Sequence, residues 1–413
     1  MLAQFFYNLG IYGYSGAISI ASLWNKKAAL WINGRKNWKE HLLQWKSQNS
    51  GKLFWFHCAS LGEFEQGRPV LEAIRKSHPE IKILLTFFSP SGFEIRKKYQ
   101  GADFICYLPA DTPTNAHSFL EIIKPDAVFF VKYEYWSNYF FSCKKQNTPL
   151  FVISAILRPD QRFFGVFKSY WLKVLRCVDH FFVQNEKTLD LLNENGFQNA
   201  TLCGDTRFDR VVEIAAKSKE IPEIAAFVQN AFTLVAGSSW PQDEELIARS
   251  AHLERVKVIC VPHEINETHI LAIEKKFPDS IRWSQLRGKS LNNSKVMIVD
   301  SIGMLSSIYQ YADAVMIGGG FGKGIHNTLE AAVWGKPIVF GPKFEKFEEA
   351  RELIRRKAAI SIINQQEFDT FLDEILNHAD KKNSMSQIAK EYVQSSAGAT
   401  LKIVDRLKSQ NIL

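Results

Sequence analysis

The chain has 413 residues, too many for one ordinary hydrophobic core, so two domains of roughly 150–200 residues are expected. Hydrophobic residues make up 46% and charged residues 23%, which excludes a disordered chain, and the formal net charge of +8 favours anionic partners without choosing among nucleic acid, acidic lipid and nucleotide-linked substrates. The six cysteines, Cys58, Cys106, Cys143, Cys177, Cys203 and Cys260, include no C-x-x-C pair, which argues against a zinc ribbon or a disulfide-stapled domain and fits a reducing compartment.

Residues 1–25 carry no charged side chain, and Lys26, Lys27, Arg35, Lys36 and Lys39 follow. A secretory signal would need positive charge before its apolar core. The length would allow a spanning helix of about 20 residues, but Gln4, Asn8, three glycines and several serines dilute it. A span, an interfacial or groove-lining helix, and a buried soluble helix are all open. Phe5, Phe6, Tyr7, Tyr12, Trp24 and Trp31 suit a membrane interface, and the basic cluster would hold the main body on the cytoplasmic side.

Largely apolar strands are then predicted at residues 53–57, 81–88, 127–131, 150–153, 181–183 and 200–202. The first ends in the small-residue turn Cys58-Ala59-Ser60-Leu61-Gly62-Glu63 and leads into a helix through Val70, Leu71 and Ile74. The second ends in the turn Ser89-Pro90-Ser91-Gly92, and the third in Lys132-Tyr133-Glu134. A polar stretch, residues 214–222, reads as the connection between halves. Strands at 232–236, 257–261, 296–299, 314–317 and 338–340 begin a second β/α series. Apolar strands alternating with helices predict an α/β fold of two doubly wound parallel sheets, with a ligand cleft between their strand carboxyl ends.

Three groups of residues carry candidate chemistry. Residues 318–332 run from a strand through a glycine-rich loop into a helix, and the spacing is neither a P-loop nor a dinucleotide fingerprint. Gly319 and Gly320 would let backbone approach a ligand, the helix N-terminus would face a phosphate, Asn327 would cap, and Glu330, at the third helical position, would accept ribose hydroxyls. The alternative for Glu330 is a capping box that binds only backbone. Glu63 at a strand exit could be a general base, its pKa raised by burial; the alternative is a surface glutamate at a helix start. Glu134 sits at another exit, as a catalytic or an orienting carboxylate. His263-Glu264 resembles the start of a zinc-protease motif, but Glu267 stands where the second histidine would be, and no metal is expected. No clustered basic–aromatic motif points to nucleic acid.

Taken in order, these segments resemble the 3-deoxy-D-manno-octulosonic acid (Kdo) transferases, glycosyltransferase family 30. The resemblance rests on the apolar N-terminus, Gly34-Arg35-Lys36, Ala59 to Glu63, Ser89 to Gly92, Glu134-Tyr135-Trp136, Gln184-Asn185-Glu186, Gly204 to Asp209 and His326 to Ala331. It implies a GT-B fold divided as a membrane-associated helix (1–25), an acceptor domain (26–212), a CMP-sugar domain (213–395) and a C-terminal helix (396–413) packing back toward the N-terminal domain. It implies an inverting enzyme of the cytoplasmic face of the inner membrane, with CMP-Kdo as donor substrate, a lipid A precursor as acceptor, and no cofactor.

Glu63 matches the family's base. Pro262, His263, Ile302, Gly303, Met304, Asn327, Thr328, Leu329 and Glu330 match its CMP-binding segments. The chain departs from the family's Pro-Arg-His at Pro262-His263-Glu264, which removes a fixed charge; Lys323 and His326 are the candidates to replace it. It also departs at Tyr135-Trp136-Ser137, where Leu-Trp-Pro is usual, and at Arg207, where lysine is usual. Another GT-B nucleotide-sugar transferase or epimerase, and a basic membrane-binding module without activity, are the rival readings.

Overall fold

Strands covered on both faces must be apolar on both faces, and the central strands of this protein are. The computed structural model describes residues 2–229, 231–286, 291 and 294–413; Met1, the first residue of the apolar segment, lies outside them. The chain divides into two units, one made of residues up to Asp209 together with Gly398–Leu413, the other of Arg210–Ala397, the division falling inside the helix Thr206–Lys217.

The first unit contains β1 (Leu53–Cys58), β2 (Lys82–Phe87), β3 (Phe104–Tyr107), β4 (Ala127–Val131), β5 (Leu150–Ala155), β6 (His180–Val183) and β7 (Ala200–Leu202). They form one parallel sheet in the order β3-β2-β1-β4-β5-β6-β7. Alternate residues enter two core layers. Trp55, Val128, Phe130 and Val152 pack with Phe119 and Phe140, whereas Phe54, Phe56, Phe129 and Ile153 pack with Val70 and Ile74. The second unit contains β8 (Thr233–Ser239), β9 (Lys257–Pro262), β10 (Ser280–Arg282), β11 (Val296–Ile298), β12 (Ala314–Ile317), β13 (Ile338–Phe340) and β14 (Ala359–Ser361), ordered β10-β11-β9-β8-β12-β13-β14. Two local expectations are corrected. Residues 214–217 are helical rather than a connection, and Ser89–Gly92 is not a free turn: Ser89 precedes the helix Pro90–Arg96, with proline at its first position.

The C-terminal helix Ala399–Ser409 buries Ala399, Ile403 and Leu407 in the first unit's core layer with Val70 and Ile74. Asp209 fixes its start, accepting from the N–H of Gly398 at 2.5 Å and from the N–H and Oγ1 of Thr400 at 2.7 Å each. This N-terminal carboxylate satisfies donors the helix cannot. Asp209→Ala is expected to cost about 2 kcal/mol, read as a lower melting temperature with hydrogen exchange accelerated first in residues 399–409.

The helix Leu2–Ala21 is docked by one face. Tyr7 Oη donates to Asp111 Oδ2 at 2.6 Å, Asn138 Nδ2 donates to Asn8 Oδ1 at 2.9 Å, and Tyr14 packs on Trp31 and Phe88. Leu2, Phe5, Phe6, Leu9, Tyr12 and Ile20 stand exposed. At about 100° per residue Leu2, Phe5, Leu9, Tyr12 and Ile20 lie on the face away from Tyr7 and Tyr14, and Phe6 flanks it. No residue of the helix is buried, which removes the buried-helix alternative. No helix among the described residues is long and apolar enough to cross a membrane.

Candidate active site

In a doubly wound sheet, ligands bind outside the strand carboxyl ends where the strand order reverses. In the first unit that point lies between β1 and β4. Glu63 stands on the exit of β1, and Lys132 and Glu134 stand on the exit of β4. Ser60 caps the helix Leu61–Ser77, and Glu63 Oε2 accepts from the N–H of Ala59 at 2.5 Å and of Ser60 at 3.2 Å, a reciprocal capping box. The side chain is not the surface glutamate of the alternative reading, since only 8% of the residue is exposed. Burial pushes its pKa up to about 7, against the pull of the Ala59 N–H, the Lys132 charge and the Ser60 N–H. Its other oxygen, Oε1, accepts no hydrogen bond among the described residues. The arrangement is a carboxylate held through one oxygen, with the other available and proton affinity near neutrality.

Glu134 is half-buried, and its charge, with those of Glu63 and Glu65, adds to burial in raising the pKa of the Cys58 thiol. It therefore belongs to the same strand-exit cluster as Glu63. Lys132 holds φ +69° while its N–H bonds to Ile153 O. A non-glycine residue there stores about 1 kcal/mol or more of strain, and such residues concentrate at functional sites. Ser238, at the exit of β8, has φ +52°.

The second sheet reverses between β8 and β12. The glycine loop after β12 turns out to be packed mainly against its own chain. A Cβ at Gly318 would lie 2.1 Å from Ser238 O, and one at Gly320 2.5 Å from Gly341 N. Gly319 takes φ +89° and donates its N–H to Asp243 Oδ2 at 3.0 Å; the N–H groups of Gly322 and Gly324 both bond to Gly319 O. These groups are spent within the fold, so the expectation that Gly319 and Gly320 are glycines for the sake of close ligand approach is revised. The following helix, Leu329–Ala332, is a single turn. Thr328, fully buried, already has helical dihedrals and makes no capping bond, whereas Asn327 Oδ1 accepts the N–H of Leu329 at 3.1 Å, so Asn327 caps as expected and Glu330 is the third residue after it. No capping box forms. Glu330 instead accepts from Ser306 Oγ at 2.5 Å and Asn327 Nδ2 at 2.9 Å.

Three rings meet at the exits of β8, β9 and β12. Trp240 stacks on His263 with centroids 4.9 Å apart, and His263 on His326 at 4.3 Å. Trp240 Nε1 donates to His326 Nε2 at 3.0 Å. Burial, with a contribution from His263, holds the His326 pKa down to about 4, so His326 is neutral at pH 7 and does not replace the missing arginine charge. Lys323, exposed on the loop, keeps that role open. Pro262 ends β9. Ile302 is 85% exposed, Gly303 turns the chain at φ +91°, and Met304 begins the helix Leu305–Ile308, which carries Ser306 to Glu330. Ser306 was not singled out from the sequence, and Lys132 and Trp240 were legible there only as members of the strand-exit segments Lys132-Tyr133-Glu134 and Ser238-Ser239-Trp240. The signal for Trp240 was its place directly after a strand, but sequence alone does not pair residues 240, 263 and 326. A cavity of about 560 Å³ lies at the β3 edge, lined by Trp38, His41, Trp45 and Phe104 among others, and no predicted site residue borders it.

The family model described as 3-deoxy-D-manno-octulosonic-acid transferase (kdotransferase) matches residues 36–210. A 3-deoxy-D-manno-octulosonic acid transferase of Aquifex aeolicus is 28% identical, covering 80% of this chain and 88% of its own length. One from Rickettsia bellii is also 28% identical, covering 89% and 87%. Among solved structures, the UDP-GlcNAc 2-epimerase of Neisseria meningitidis bound to UDP-GlcNAc superposes with TM-score 0.61 at 15% identity, over 87% of this chain and all of that one. That likeness shows the fold, a GT-B architecture of two parallel sheets of seven strands each.

Proposed function

We propose that this chain is a member of the 3-deoxy-D-manno-octulosonic acid transferase family, whose model and relatives it resembles, and an inverting glycosyltransferase that moves Kdo from CMP-Kdo to a lipid A precursor at the cytoplasmic face of the inner membrane. The observation that carries the chemistry is Glu63, a buried carboxylate with pKa about 7, one oxygen bonded to backbone and the other available. An acceptor hydroxyl gives its proton to Glu63 Oε1 while its oxygen bonds to the anomeric carbon of Kdo. The bond from that carbon to the phosphate oxygen breaks, and its electron pair leaves with CMP. Attack opposite the leaving group inverts the centre. Glu134 orients and Lys132 supplies positive charge beside the base.

The second unit holds CMP through Pro262, His263, the 302–304 turn, His326 and the Asn327–Glu330 segment, with Gly319 and Gly320 shaping the loop. Glu330, already accepting from Ser306 and Asn327, is placed to accept from a ribose hydroxyl as well. Lys323 meets the phosphate. The exposed face of Leu2–Ala21, followed by Lys26 and Lys27, rests on acidic lipid.

The decisive assay incubates purified protein with CMP-Kdo and a tetra-acylated lipid A precursor and reads the lipid by mass spectrometry. A mass gain of Kdo is expected; turnover of UDP-GlcNAc instead would establish the epimerase reading. For the membrane surface, Phe5→Glu with Leu9→Glu is expected to cut sedimentation with anionic phospholipid vesicles at least several-fold, since about 25 cal/mol per Å² of apolar burial is lost. The melting temperature should stay unchanged, because both residues are exposed. Undiminished vesicle binding would refute that surface.

A further inference from the structure

The ring stack at the second sheet's reversal contains a polar contact that fixes a tautomer. Trp240 is held on its main chain by Asp243, whose Oδ2 accepts the Trp240 N–H at 2.9 Å and the Gly319 N–H at 3.0 Å. Its ring lies on His263, and its Nε1 reaches His326 Nε2 at 3.0 Å. An indole N–H can only donate. Nε2 of His326 must therefore carry a lone pair, and the single proton of the neutral ring sits on Nδ1. We propose that Trp240 is a positioning residue, its indole N–H holding His326 as the uncharged Nδ1–H tautomer so that the ring offers the nucleotide a directed, neutral hydrogen-bond donor. The choice of ligand rests on the transferase reading above; the tautomer does not.

The surroundings agree. Protonating Nε2 would set two N–H donors against each other across the same 3.0 Å. The groups facing the ring are His263 from the exit of β9 and, through Gly319, Asp243 from the helix Pro241–Ala248; no carboxylate bonds to the ring among the described residues. Gly319 itself borders the ring, since a Cβ there would stand 3.2 Å from His326 Cδ2. Burial disfavours the imidazolium as well. The charge of the donor's phosphate must then be met elsewhere, and His326 contributes direction rather than charge.

The test uses the full chain labelled with ¹⁵N-histidine, with His326 assigned by the resonance lost in His326→Gln. Long-range ¹H–¹⁵N spectra of the unliganded wild type should show the Nδ1–H pattern for His326, unchanged from pH 8 to pH 5.5. In Trp240→Phe, which keeps a ring on His263 but loses the N–H, His326 should acquire the Nε2–H form or begin to titrate. CMP binding by calorimetry should then change with pH at least threefold more in Trp240→Phe than in the wild type. A wild-type His326 that carries its proton on Nε2, or is charged at pH 7, would overturn the proposal even if the variant failed to fold. So would a variant spectrum identical to the wild type. The spectra need no nucleotide. A wild type with the Nδ1–H pattern that binds no CMP at any pH would leave the tautomer standing and count against the transferase reading instead.

Discussion

Glu63→Gln is expected to lower Kdo transfer by about 10²–10⁴-fold, the range a positioned general base contributes, while CMP binding measured by calorimetry stays within twofold. Glutamine preserves the shape and an acceptor for the Ala59 N–H but cannot take a proton. With Glu63 as the proposed base, the active form is expected to be the carboxylate, which exists above the pKa of about 7. The rate should therefore rise with pH through about 7, and the residual rate of the variant should lack that limb. Stability provides a second, independent sign. The folded pKa lies above the ordinary value of 4.5, so the fold favours the protonated carboxyl. That contribution is complete below about pH 4.5 and is lost as pH rises through about 7. Glutamine, always uncharged, should thus melt higher than the wild type at pH 8 and equal to it near pH 4. A lower melting temperature of Glu63→Gln at pH 8 would mean that the charge-assisted capping bonds outweigh the burial cost, and near-normal turnover would remove Glu63 as base.

The sequence signals differ in how far they reach. β1 and β4 were legible because both faces of each are buried, which leaves a run of apolar residues such as Phe54-Trp55-Phe56 with no alternation to interpret. β3, β10 and β14 were not foreseen. Each lies at a sheet edge and has four residues or fewer, and residues such as Phe104, Ile105 and Ile360 are only half-buried. Too little period survives in such a segment to separate strand from loop. Capping was legible as a pattern but not as a place. Ser60-x-x-Glu63 forms the box, whereas the segment ending in Glu330 does not, because Ser306 arrives from another part of the chain and takes the carboxylate. The ring stack lies beyond sequence reasoning for a related reason. Trp240 and His326 are neighbours only because β8 and β12 are adjacent in the sheet.

The glycine loop has a packing constraint and a proposed ligand role on the same residues, and Gly318→Ala, Gly320→Ala and Gly322→Ala separate the two. A Cβ at position 318 would meet Ser238 O at 2.1 Å and Ser239 Cα at 2.7 Å; at position 320 it would meet three Gly341 backbone atoms at 2.5–2.8 Å. All of these are backbone atoms, which cannot rotate away as a side chain would. Each substitution is expected to cost roughly 3 kcal/mol or more, read as an earlier melting transition of the second unit with or without CMP. Gly322 supplies the contrast. Its nearest neighbour to an added Cβ is Gly319 O at 3.5 Å, an ordinary contact, and its φ is not in the left-handed region. Gly322→Ala should melt with the wild type. If it also binds CMP normally, the loop is glycine-rich for the sake of its own packing. If it loses CMP while keeping its melting temperature, then backbone approaches the nucleotide at position 322, in the stretch that also carries Lys323. Unaltered melting in Gly318→Ala and Gly320→Ala would show that β8, β12 and the chain at Gly341 can move apart without penalty, and the packing account of the loop would fall with it.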